Sequence, residues 1–161
     1  MVQPTGGIAA FIWYNGRVFL MLRDDKDCIA NPCRYAILSG AIEDDEPGSR
    51  LVTEIKEELG IEPSLGQITY LGEEVLPNRT NHLFFIRLTA SQHKAIELGE
   101  GQSYEFCELE ELFRLHVRGE EKHGLCGAVA RLMSHHTHIV RRIFDGRPEP
   151  FKRIQYPKQY T

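Results

Sequence analysis

The sequence predicts an α/β (α+β) fold: a mixed β-sheet with helices on both sides. Three observations carry that reading. Short β-prone segments recur along the chain, the first two joined by Asn15-Gly16, a strong two-residue hairpin turn. Leu51, Ile55 and Leu59 recur every four residues within Arg50–Leu59 and give one buried helical stripe. A second helical pattern covers Lys122–Phe144, a long C-terminal helix with Leu125, Val129, Leu132 and Met133 at core spacing.

Taken in order, Gly7–Trp13 (GIAAFIW) is apolar and β-prone, and Arg17–Arg23 (RVFLMLR) is its returning strand. Asp24–Arg34 is polar, holds Asn31-Pro32 and reads as a loop. Tyr35–Leu38 is a short apolar strand leading into Gly40. Glu43–Ser49 is acidic and turn-like, and Asp44 or Asp45 is expected to cap the helix that follows. Gly60 suits the left-handed position that ends such a helix. Gln67–Leu76 and His82–Leu88 (HLFFIRL) read as strands, the second of them central. Gly99–Gln102 is a loop, Tyr104–Cys107 a last short strand, and Leu109–Leu115 one or two helical turns. One domain is expected over residues 1–145. Gly146–Thr161, with three prolines and several basic residues, is expected to be an irregular basic tail packed on the body or on a partner.

A length of 161 residues suits one domain with a sizeable core. Hydrophobic residues at 42% and charged residues at 26% are ordinary for a soluble globular protein. A net charge of −4 argues against general nucleic-acid affinity, so no nucleic-acid partner is expected. There is no apolar run of about 18 residues and no signal-peptide pattern, so neither a membrane span nor secretion is expected, and the default location is cytoplasmic. Of the four cysteines, only Cys28 and Cys33 are close in sequence, and no C-x-x-C pair exists, so reduced thiols are the default.

Glu54, Glu57 and Glu58 stand at i, i+3 and i+4 in the first helical segment, which puts three carboxylates on one helical face. Like charges at that spacing repel by about 0.2–0.5 kcal/mol per pair in an exposed helix. A solvated face shared with Lys56 is one reading. The other is a divalent cation: hard ions such as Mg²⁺ take oxygen ligands, commonly one or two carboxylates together with substrate phosphates.

The surrounding sequence favours the cation. Gly40–Ile61 (GAIEDDEPGSRLVTEIKEELGI) resembles the signature of the Nudix hydrolases, G-x5-E-x7-R-E-U-x-E-E-x-G-U, where U is a bulky aliphatic residue. Glu54-Ile55-Lys56-Glu57-Glu58-Leu59-Gly60-Ile61 matches the second half at each fixed position, and Gly40 and Glu46 match the first half. Tyr35–Gly40 (YAILSG) looks like the strand that leads into this motif, and Glu100-Gly101-Gln102 resembles a late loop in which many members carry another glutamate. Two features depart from the pattern. Thr53 stands in the place of the motif's arginine, one residue closer to Glu46 than usual, and Arg50 is expected to take over part of that arginine's ion pair with the motif's first glutamate. Ser39 stands where most members have a first glycine. An ungapped alignment instead puts Asp45 and Ser39 in the first glutamate and glycine positions; both alignments leave Glu54, Glu57 and Glu58 in place.

The resemblance implies an α/β/α sandwich and a Mg²⁺- or Mn²⁺-dependent hydrolysis of a nucleoside diphosphate linked to another moiety X, releasing a nucleoside monophosphate and phosphorylated X. Glu57 and Glu58 are the primary metal ligands it implies, with Glu54 and the carbonyls of Ser39 or Gly40 completing the set. Glu54, Glu57 and Glu100 are the catalytic candidates, with Glu54 and Glu100 competing for the role of general base. Arg23, Glu43 and Tyr35 are candidate substrate-binding residues. Base and X are expected to be read by the loops Asp24–Arg34 and Gly72–Asn81 and by the C-terminal region. A small-molecule nucleotide is the expected partner, and a homodimer is among the assemblies the family uses. A catalytically weakened nucleotide-binding or regulatory module is the alternative, favoured by Thr53 and Ser39.

Overall fold

The computed structural model describes residues 6–27, 31–118 and 124–156. Its framework is a mixed sheet that, among these residues, has eight strands. They are β1 (Gly6–Tyr14), β2 (Arg17–Leu22), β3 (Tyr35–Ala36), β4 (Leu38–Ile42), β5 (Ile68–Leu76), β6 (Arg79–Arg87), β7 (Ser103–Cys107) and β8 (Lys152–Gln155). The helices are α1 (Pro47–Leu59), α2 (Ala90–Lys94), α3 (Leu109–Arg118), α4 (Gly127–His135) and α5 (Thr137–Phe144).

Strand order runs β3-β2-β1-β6-β5-β8, with β4 also paired to β1 and β7 to β2. The first hairpin closes as the sequence predicts: Asn15 and Gly16 have φ of 50° and 80°, the left-handed pair that a type I′ turn demands. Only Trp13 and Tyr14 of β1 register with β2. The strands then part, and β4 takes the vacated edge of β1 from Gly6 to Ala10. On the other edge β1 runs parallel to β6 from Gly6↔Thr80 to Trp13↔Arg87. This central pair is covered on both faces, which explains its unbroken apolar sequence. Ile8, Ala10, Ile12, Phe84 and Ile86 pack under α1 with Leu51, Ile55 and Leu59. Ala9, Phe11, Leu83 and Phe85 pack under α3, α4 and α5 with Leu112, Val129, Leu132, Val140 and Ile143. The two alternating sets are the two cores of an α/β/α sandwich.

Several local expectations change. The helix after the acidic turn starts at Pro47, with Glu46 as N-cap and no side-chain cap from Asp44 or Asp45. Pro at the first position supplies the helical φ and lacks only an N–H that would have no partner in the helix. Gly60 ends α1 in the left-handed conformation, φ 69°, with its N–H donating to the Lys56 carbonyl. The single C-terminal helix is two: His136, at φ −140° and ψ 50°, breaks it between α4 and α5, while the start placed at Lys122 lies outside the described residues. Helix α2, capped by Thr89 and Gln92, was not foreseen. The C-terminal arm, expected to be an irregular tail, holds a strand among its described residues: β8 runs parallel to β5, with Ile154 and Tyr156 buried.

That last strand closes over a buried polar cluster. Glu74 on β5 is fully buried and accepts bonds from Arg131 Nε at 2.9 Å, Arg131 Nη2 at 2.8 Å, Asn81 Nδ2 at 2.9 Å and Tyr156 Oη at 2.7 Å. Burial by itself would raise this carboxyl, but the bonds from Arg131, Asn81 and Tyr156 outweigh it and hold the group below its ordinary value. The stabilisation from Glu74 is therefore complete above the unfolded carboxylate pKa, about 4.3, and is lost as pH falls through the lower folded value. Glu74→Gln leaves Arg131 without its counter-charge and should cost about 3 kcal/mol at pH 7 in urea unfolding. The difference from the wild type should shrink as the unfolding series is carried into acid.

Candidate functional site

Helix α1 docks its Leu51–Ile55–Leu59 stripe on the sheet, and this docking carries two carboxylates inward. Glu54 and Glu58, one turn apart, are 5% and 6% exposed, whereas Glu57 between them is exposed. All three line one cleft of about 330 Å³, together with Ser39, Gly40, Arg50, Gly99 and Glu100. Two glycines permit that convergence. A Cβ on Gly40 would lie 2.5 Å from Glu54 Cδ, so β4 touches the carboxylate only because this residue has no side chain. A Cβ on Gly99 would lie 2.3 Å from the Glu57 carbonyl oxygen. The loop from Glu97 to Gly99 binds the end of α1 through Glu97 N–H to the Leu59 carbonyl at 3.0 Å and Gly99 N–H to the Glu58 carbonyl at 2.7 Å. These bonds carry Glu100 to the cleft.

The electrostatics of the cleft are unbalanced. Burial, and then the adjoining carboxyls of Glu100 and Glu54, push the Glu58 carboxyl far above the usual carboxylate range. Glu58 Oε2 is buried with no hydrogen-bond partner among the described residues. Arg50 answers part of the charge by forming an ion pair with Glu54 from one turn earlier, and its own Nε is also buried without a partner. The pairing expected for Arg50 is thus corrected: it serves Glu54, while Glu46 accepts from Ser49 Oγ at 3.3 Å. Thr53 points its hydroxyl back to the Ser49 carbonyl at 3.1 Å.

Oxygen donors, one of them an orphaned buried carboxylate oxygen, are the donor set a hard divalent cation takes. Ser39, Gly40, Glu54, Glu57 and Glu58 would hold it, with Glu100 lining the same cleft. Among the described residues no three His, Cys, Asp or Glu side chains already stand at metal-ligand spacing; Glu54 is engaged by Arg50 and Glu57 is exposed.

A second cavity of about 570 Å³ adjoins the cleft and shares Ser39, Gly40 and Glu100 with it. Arg23 lines it, as do Asn78, Arg79 and Asn81 from the predicted reading segment Gly72–Asn81, and Arg131 from α4. Two substrate candidates are not brought there. Glu43 is exposed and lines neither cavity, and Tyr35 is held by backbone pairing with Gly124 and Cys126 while its ring packs on the core. Arg79 and Arg131 were missed. Arg131 sits within a helix that reads as apolar core, and its only sequence signal would have been a lone arginine near Leu132 and Met133.

Comparison with solved structures identifies the architecture. A protein of Deinococcus radiodurans matches with a TM-score of 0.64 at 17% identity, covering 81% of this chain and 81% of that one. The Nudix domain of Shewanella oneidensis NrtR, solved with ADP-ribose, matches with a TM-score of 0.61 at 10% identity over 87% of this chain and 90% of that one. A MutT/Nudix family protein from Enterococcus faecalis matches at 0.55 and 15% identity over 66% of this chain, which spans 44% of that protein's length. No family model and no curated protein matches the sequence. The fold is that of the Nudix hydrolases, as the sequence resemblance implied.

If Arg50 stands in for a cation, removing it should expose the repulsion. Arg50→Met should lower stability by about 1–3 kcal/mol in EDTA, the cost of an unpaired buried polar group. Millimolar Mg²⁺ should restore most of that loss in thermal unfolding.

Proposed function

We propose that the protein hydrolyses a nucleoside diphosphate linked to a moiety X, with Mg²⁺ or Mn²⁺, to a nucleoside monophosphate and phosphorylated X. The observation that carries this reading is the convergence of Glu54, Glu57, Glu58 and Glu100 on one cleft, with a Glu58 oxygen buried and unpartnered. Reaction class and metal follow the resemblance of the signature, and the Nudix fold supports them.

A diphosphate is polyanionic, and water attacks its phosphorus only once that charge is offset. When bound, the metal would offset phosphate charge and lower the pKa of coordinated water. The chain's own groups divide the remaining work. Glu57 and Glu58 are assigned as principal metal ligands, the first reachable from solvent and the second set in the cleft wall. Glu54 is fixed by Arg50, which suits a group that orients the attacking water or adds a ligand. Glu100, carried to the cleft on the loop docked to α1 and set beside Glu58, is assigned the proton-accepting role. Ser39 and Gly40 offer backbone carbonyls at the edge shared by the two cavities, and Arg23 is assigned to the substrate in the larger one.

A nucleotide-binding module without turnover is the second reading, favoured by the Arg50–Glu54 ion pair inside the carboxylate cleft. It predicts nucleotide binding that EDTA leaves unchanged.

A panel of nucleoside diphosphate derivatives, assayed for monophosphate release with Mg²⁺ or Mn²⁺, separates the two. Glu57→Gln and Glu58→Gln should each reduce kcat/KM by about 100-fold or more, the scale expected when electrostatic support for the transition state is removed. Glu100→Gln should reduce kcat while leaving metal affinity within about twofold of the wild type, since a proton acceptor contributes about 10²–10⁴ to the rate without holding the ion. Wild-type rates in both the Glu57 and Glu58 variants would show that the chemistry is elsewhere.

A further inference from the structure

The larger cavity differs in character from the carboxylate cleft beside it. In a chain of net charge −4, Arg23, Arg79 and Arg131 all line this one space. Glu100, at the edge shared with the cleft, is the only acid lining it among the described residues. The remaining wall combines small residues and amides, such as Gly6, Gly7 and Asn78, with Ile8, Ile37 and Cys126, and no described aromatic ring lines it. Trp13, Tyr35 and Phe84, the rings a base could have stacked on, are elsewhere. Trp13 donates to the Phe144 carbonyl at 3.0 Å under the Arg87 guanidinium, Tyr35 packs on the core, and Phe84 lies beneath α1.

Arg131 is the best-held of the three. Glu74, fully buried behind it, takes two of its N–H groups in a bidentate pair and is itself fixed by Asn81 and Tyr156. A buried ion pair is a poor source of stability compared with apolar residues of the same volume. It is a good way to hold a guanidinium rigidly at a cavity wall, with its remaining donors available for a phosphate. The Arg131 side chain is 25% exposed, so it is not sealed in with its partner.

We propose that this cavity receives the phosphorylated, non-aromatic end of the substrate, so that X is a polyol or sugar carrying a further phosphate and not a nucleobase. The inference rests on the hydrolase reading for its placement beside the scissile diphosphate. The recognition itself is by charge: Arg131 as the fixed element, with Arg79 and Arg23 at the rim and Asn81 beside them. Among the described residues a flat base would find no aromatic ring to stack on there, whereas three guanidinium groups suit an added phosphate.

The test is equilibrium binding by calorimetry in Mg²⁺ with three probes that contain no anhydride bond: fructose 1,6-bisphosphate, fructose 6-phosphate and AMP. None can be hydrolysed at a diphosphate, so the result stands whether or not the nucleotide panel shows turnover. The bisphosphate should bind at least tenfold more tightly than fructose 6-phosphate and more tightly than AMP. Arg79→Gln, at an exposed strand end, should reduce that preference to threefold or less. The double variant Glu74→Leu/Arg131→Met removes the buried pair together and should do the same while retaining the wild-type circular dichroism spectrum. Tighter binding of AMP than of both sugar phosphates, equal binding of the two sugar phosphates, or a preference unchanged in Arg79→Gln would each overturn the proposal. Failure of all three probes to bind would overturn it too. Absence of monophosphate release from the nucleotide panel would count against the hydrolase reading only.

Discussion

Burial of Glu54 and Glu58 on the apolar face of α1 is the constraint around which the rest of the molecule is arranged. The stripe of Leu51, Ile55 and Leu59 fixes the helix on the sheet, and the two carboxylates descend with it because i and i+4 share a face. Other features follow from accommodating that charge. β4 approaches through Gly40, the loop after Ile96 approaches through Gly99, and Arg50 is recruited as a counter-charge. What those adjustments leave over is one buried oxygen on Glu58 and a cleft rich in carboxylates. A divalent cation resolves that imbalance better than another side chain, because it can meet several oxygens at once.

The same sheet handles a second buried carboxylate in the opposite way. Glu74 receives two bonds from Arg131 and one each from Asn81 and Tyr156, so it is fully satisfied within the protein. Glu58 is raised by burial and then by its carboxyl neighbours, whereas the bonds to Glu74 outweigh its burial and lower it. One acid is left with an unpartnered oxygen and the other is closed off as structure. The two sites meet across β4 and the start of β1, where Ser39 and Gly40 belong to both cavities. A ligand with a diphosphate at one end and further anionic groups at the other would span them.

What the sequence revealed follows how local each cause is. Asn15-Gly16, the four-residue stripe of α1 and the Gly60 terminus are set by residues within a turn or two, and they are where the pattern places them. The glutamates were legible for the same reason, since helical spacing alone puts them on one side. The burial difference between Glu57 and its neighbours was not, because it depends on the sheet beneath. The break at His136 carries no proline or glycine to announce it. Strand β8 reads as a basic tail until the edge of β5 is there to pair with it. Arg131 and Glu74 lie 57 residues apart, and only the folded sheet joins them. The partner of Arg50 was misassigned because Glu46 and Glu54 both lie four residues from it, and sequence spacing alone does not choose between them; the pair forms with Glu54, which the docking of α1 buries.

The unbalanced carboxylates of α1 are proposed to form a divalent-metal site. Titration of Mn²⁺ into the metal-free protein, followed by the loss of the free-ion electron paramagnetic resonance signal, measures this without any substrate. Binding should be saturable, weakened at least tenfold in Glu58→Gln and unchanged in Glu43→Gln, whose carboxylate is exposed and lines neither cavity. Equal Mn²⁺ affinity in wild type and Glu58→Gln would contradict it.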